Sequence, residues 1–82
     1  PQAMEVEDAV HGQALSDAIS AFLWKQSPEA RRVFVRRYFY CDAVGDIART
    51  FGISESKVKS ILFRVRNKLR LYLESEGFIH EK

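Results

Sequence analysis

Seven apolar residues, Val58, Ile61, Leu62, Val65, Leu69, Tyr72 and Leu73, recur at spacings of three and four. An α-helix turns once in about 3.6 residues, so it brings such positions onto one face. The pattern predicts a helix over residues 55–75, about 30 Å long at about 1.5 Å per residue. The chain has 82 residues, and a domain of that size has a radius of gyration near about 12 Å. One helix therefore spans most of the molecule, and the remaining elements must cover its stripe.

Those elements are also helical by pattern. Leu15, Ala18, Ile19, Phe22 and Leu23 form an amphipathic stripe over residues 13–25, with Trp24 beside it. Ser27-Pro28-Glu29 is a helix start: an N-cap hydroxyl, a proline in the first turn and an acid behind it. The helix it opens is predicted to run to residue 40. Ala30, Val33, Phe34 and Tyr38 face inward, while Arg31, Arg32 and Arg36 lie off the stripe. Val35 and Phe39 also lie off it and need cover on a second side. A short helix over residues 44–51 turns Val44, Ile47, Ala48 and Phe51 inward. Gly52 ends it, and Ser54 caps the long helix that follows. No strand pattern or repeat is present. The fold class is all-α: a compact four-helix domain with a long C-terminal helix.

Residues 1–12 read as an acidic lead-in, a frayed arm broken at His11-Gly12; residues 13–76 form the domain, and residues 77–82 a tail. The chain starts at Pro1 and is read as a piece of something longer. The net charge of +2 conceals an asymmetry. Residues 1–25 carry Glu5, Glu7, Asp8 and Asp17 against Lys25 alone. Residues 26–73 carry the Arg and Lys of a basic block against only Glu29, Asp42, Asp46 and Glu55. Residues 74–82 turn acidic again. A basic core between acidic ends suits a nucleic-acid-binding module or, more plainly, a solvated basic face.

The stretch over residues 44–66 decides between them. Ala48 is small where a second helix must cross, Gly52 supplies a tight turn, and Ile53 plugs the corner. Val58 and Ile61 pack the second helix on the first. These offsets are those of a helix-turn-helix, whose second helix enters a DNA major groove. On an ideal helix Lys59, Phe63, Ser56, Asn67, Ser60 and Arg64 fall between about 100° and 240° from Val58, on the outward side. Arg64 suits a bidentate contact to guanine and Lys59 a point-charge contact. Phe63, alone among polar neighbours, either meets a thymine methyl or base edge or packs on a partner. Lys57 belongs to the same candidate surface. Arg49 and Ser54 are candidate phosphate anchors. Arg66, Lys68 and Arg70 suit phosphate or solvent, with solvent favoured for the last two.

Residues 27–73 resemble region 4 of bacterial sigma-70-family factors of RNA polymerase, particularly the short extracytoplasmic-function type. The track is Pro28, Arg32-Val33-Phe34, Arg37-Tyr38, Asp46-Ile47-Ala48, Phe51-Gly52-Ile53-Ser54, Val58-Lys59-Ser60, the run from Arg64-Val65-Arg66-Asn67 through Lys68-Leu69-Arg70, and Leu73. Ser27, Asp46, Lys57 and Val65 depart from the common family residues, which bears on the base sequence read. The resemblance implies binding of double-stranded promoter DNA at the −35 element through Lys59, Ser60, Phe63 and Arg64. It also implies docking on the β flap of RNA polymerase, for which Trp24, Val35 and Phe39 are candidates; core packing is their alternative. Nothing resembles region 2, so the chain is expected to be a C-terminal domain cut from a longer factor.

Two other readings stand beside this one. A LuxR-type output domain shares the Ile47-Ala48, Gly52-Ile53-Ser54 and Val58-Lys59 track but adds a dimerisation helix, which the unbroken stripe to Leu73 argues against. A protein-interaction module would bind an acidic partner such as an anti-sigma factor. Catalysis is not expected: His11 and His80 are isolated, Cys41 has only Asp42 near it, and no base, nucleophile and orienting group are grouped. No cofactor or metal is expected. One cysteine and no membrane-length apolar run suggest a cytoplasmic chain, monomeric in isolation.

Overall fold

A computed structural model describes the backbone of residues 2–78 and the side chains of residues 12–78. Four helices follow one another: α1 (Gln2–Trp24), α2 (Pro28–Tyr38), α3 (Val44–Phe51) and α4 (Glu55–Ser75). No strand occurs among the described residues. The all-α expectation holds, as do the bounds of α3 and α4.

The ends of α1 and α2 differ from expectation. The backbone is helical from Gln2, so the lead-in is not a frayed arm and His11-Gly12 does not break the helix. A single glycine costs a helix only about 1 kcal/mol, less than good helix formers on both sides recover. The side chains of residues 1–11, His11 and the acidic lead-in among them, and residues 79–82 with His80 lie outside the described residues. Helix α2 stops at Tyr38 rather than residue 40. The chain turns back through Cys41, which takes φ +60°. That conformation costs a non-glycine residue about 1–2 kcal/mol. Asp42 holds the corner: its N–H donates to the Arg36 carbonyl at 3.0 Å, its carboxylate lies 3.3 Å from Arg36 Nε, and its carbonyl accepts from Arg37 at 3.1 Å.

The turn between α1 and α2 is tied by Arg31, whose guanidinium donates to the carbonyls of Leu23 and Gln26 at 3.5 and 3.3 Å. A cation there also complements the C-terminal end of α1. Ser27 caps α2 as predicted, its Oγ accepting from Ala30 N at 3.2 Å. The junction of α3 and α4 carries the sharpest turn. Gly52 sits at φ +66°. The Ile53 N–H donates to the Ala48 carbonyl at 3.0 Å and the Gly52 N–H to the Arg49 carbonyl at 3.4 Å. This bonding pattern closes a helix through a left-handed residue. Gly77 at φ +85° closes α4 in the same way, with Phe78 N donating to the Leu73 carbonyl at 2.9 Å.

The core lies where α2, α3 and α4 meet. Val33, Ile47 and Val58, one from each helix, are fully buried. Ala48, Ile61, Leu62, Val65 and Phe34 surround them, and α1 closes the side with Phe22 and Leu23. Tyr72 of α4 meets Phe22 at 5.6 Å between ring centroids. Tyr38 is a correction: expected inside, it is 41% exposed. One ring face lies on Phe34 at 4.6 Å, and its hydroxyl turns outward to accept from Arg66 at 2.8 Å. Burial without such a partner would cost the hydroxyl its hydrogen bonds.

Gly52→Val should lower domain stability by more than about 1 kcal/mol, because a β-branched residue resists positive φ. Urea unfolding followed by helix ellipticity tests this, and an unchanged midpoint contradicts it.

Candidate nucleic-acid interface

Burial of Val58, Ile61, Leu62 and Val65 sets the rotation of α4 about its own axis. The side chains between them therefore point to solvent. Ser56, Lys57, Lys59, Ser60, Phe63, Arg64 and Asn67 are all exposed, as the spacing requires. Lys59, Ser60, Phe63 and Arg64 line one shallow concavity, joined by Arg66. Phe63 is 60% exposed at its centre. Asn67 follows one turn beyond, next to Phe63 and Arg64 on the same face.

Four of the sequence-selected residues lie outside this concavity, apart from Asn67. Ser54 uses its hydroxyl to cap α4, accepting from Lys57 N at 3.0 Å. Ser56 sits beside it in the first turn. Arg49 on α3 pairs with Asp46 of its own helix. Lys57 reaches α2, with Nζ 3.5 Å from Glu29 Oε2. Both ion pairs are solvent-exposed, worth about 0–1 kcal/mol, and exchange readily for a stronger anion. Among the described residues Lys59 and Arg64 have no carboxylate partner. Two cations without a carboxylate partner thus stand on the outward face of α4.

Sequence alone suits Arg66 to phosphate or solvent, yet it borders the concavity and donates to the Tyr38 hydroxyl. Its position three residues after Phe63 was the available signal. What sequence spacing lacked was the tyrosine on another helix that fixes it.

A second surface lies between α1 and α2. Trp24, Val35 and Phe39 line one groove with Leu23, Arg31 and Tyr40. Trp24 and Phe39 are 73% and 64% exposed, so core packing does not account for them; Val35 is half-buried against the core. Two guanidiniums lie over the rings, Arg31 over Trp24 at 4.6 Å and Arg36 over Tyr40 at 5.0 Å. Among the described residues no three His, Cys, Asp or Glu side chains come together. No described helix is long and apolar enough to cross a membrane.

Residues 27–71 match the family model for sigma-70, region 4. Comparison with curated proteins gives no match. The matched span begins at the Ser27 cap, runs through the helix-turn-helix, and ends in the last third of α4.

The cap at Ser54 separates a structural from a phosphate-binding role. Ser54→Ala should destabilise the domain by about 1 kcal/mol, and Ser54→Asp should restore most of it. Urea midpoints that do not move in the alanine variant contradict the capping role.

Proposed function

The chain belongs to the sigma-70 region 4 family, and from that premise we propose that it reads the −35 element of promoters for RNA polymerase. At the coarser level it is a helix-turn-helix DNA-binding domain of a sigma factor, a family of DNA-binding rather than catalytic domains. The observation that carries the finer reading is the convergence of Lys59, Ser60, Phe63 and Arg64 on one exposed concavity of α4. A major groove admits an α-helix and offers base edges to such side chains.

Roles follow from chemistry. Arg64 forms a planar fork matched to guanine O6 and N7, whereas Lys59 acts as a mobile point charge. Phe63 meets a thymine methyl, and Asn67 has the amide that pairs with adenine N6 and N7. Arg49, Ser56 and Lys57 contact phosphates once their surface pairs open; Ser54 contributes by holding the start of α4 against the backbone. Residues 13–76 are the working unit, between the lead-in 1–12 and the tail 77–82, acting in the cytoplasm and monomeric in isolation.

We assign the groove of Trp24, Val35 and Phe39 to the β flap of RNA polymerase; no side chain lines both this groove and the α4 concavity. An anti-sigma factor would compete for one of these two surfaces. Family membership replaces the LuxR-type alternative.

Selection from a randomised duplex pool, followed by titration of the selected sites, tests the DNA reading. Arg64→Ala should weaken the selected site by about 1–3 kcal/mol and relax one base position. Phe63→Ala should lose base preference while the salt dependence stays as it was, because the ring carries no charge. Enrichment of no sequence by the wild-type chain would overturn base reading by this face. For the groove, Phe39→Ser should lower capture of RNA polymerase core with the selected duplex preference intact; unchanged capture counts against the flap assignment.

A further inference from the structure

The turn between α1 and α2 leaves a cleft against α4. Lys25, Ser27, Glu29, Arg64, Val65 and Lys68 are among the residues that line it. We propose that this cleft is a second phosphate site, which holds a DNA strand where it leaves the outward face of α4. The proposal rests on the DNA-reading role of that face.

Three features point to it. Arg64 borders both this cleft and the concavity of Lys59, Ser60 and Phe63, so the two surfaces are continuous through one guanidinium. Lys68 lies one turn along α4 from Arg64, about 6 Å along the axis, on the same flank. Lys25 comes from a different element, its Nζ 5.8 Å from the centre of the Tyr72 ring. Cations from α4 and from the turn after α1 thus border one cleft beside a base-reading helix. A DNA strand carries one charge per about 3.4 Å of duplex axis, so a strand running along this flank meets them in succession.

The charge balance favours an anion. Glu29 is the acidic residue lining the cleft, and Lys57 lies 3.5 Å from it. Against that one carboxylate stand Lys25, Arg64 and Lys68, so the cleft stays net positive even when Lys57 leaves Glu29 for a phosphate. None of the three has a carboxylate partner among the described residues. Ala30, Ile61 and Val65 also border the cleft. The end of α2 adds little, since Ser27 already caps it. The attraction comes from the side chains.

Lys25 and Lys68 therefore supply affinity without base discrimination. The test is a fluorescence-anisotropy titration of the 82-residue chain over a salt series, on the selected duplex and on a scrambled one. Lys25→Ala with Lys68→Ala should reduce the slope of log affinity against log salt by about 1 to 2, at about 0.9 per phosphate contact. The ratio of affinities for the two duplexes should not change. Lys25→Arg with Lys68→Arg should keep the wild-type slope, and helix ellipticity should be the same in all variants. An unchanged slope in the alanine variant overturns the proposal, as does absence of binding to either duplex at low salt. A reduced slope with equal wild-type affinity for both duplexes supports the cleft and overturns base reading by α4 alone.

Discussion

Everything outward in this domain depends on one inward contact, the meeting of Val33, Ile47 and Val58 where three helices converge. Each is β-branched and fully removed from water, worth about 1.5–3 kcal/mol of burial apiece. Their stiff side chains leave few ways to pack. With Val58 locked inward, the rotation of α4 is set, and Lys59, Ser60 and Phe63 have only solvent to face. The exposed face of α4 is a consequence of the core rather than a separate construction. A change that let α4 roll by one residue would turn a charged face into the core and expose the stripe.

The turn that precedes α4 serves the same end. Gly52 takes its left-handed conformation at no steric cost, so α3 can end on Ala48 and Ile53 bonds. Two residues later Ser54 starts α4. So short a link leaves little freedom in the angle between the two helices, and a recognition helix needs that rigidity to hold its side chains at base-edge distance. The corner at Cys41 takes the opposite approach: a residue poorly suited to positive φ is held there by Arg36, Arg37 and Asp42.

Arginine and lysine divide into two populations. Arg31, Arg36, Arg37 and Arg49 are spent on carbonyls, carboxylates or aromatic faces within the domain. Among the described residues Lys59, Arg64 and Lys68 on α4 have no such partner, and neither does Arg32 on α2. Net charge does not separate these populations, and the segment totals separate them only partly. The distinction matters because a paired cation gives up its partner before it attracts a phosphate, whereas an unpaired one loses only water and counterions. The apolar groove at Trp24 and Phe39 sits apart, with guanidiniums stacked on its rings rather than charges facing outward.

Periodicity and capping residues were enough to determine four helices, the bounds of α3 and α4, the inward stripe of each but for Tyr38, and the outward set on α4. These are local properties: spacing along one helix decides which side chains share a face, and Ser27, Gly52 and Ser54 act within a few residues of themselves. His11-Gly12 looks like a break in sequence, yet α1 runs through it, because one glycine is too small a penalty to stop a long helix. Spacing puts Tyr38 inside, because it carries no sign that the hydroxyl has a partner in Arg66, 28 residues away. Only the tertiary structure could show that Lys57 reaches Glu29, that Trp24, Val35 and Phe39 share one groove, and that Lys25 faces Arg64 and Lys68 across a cleft. Each of those relations joins residues on different helices. Their separation in space is set by how the buried stripes pack, and no pattern within a single helix carries that distance.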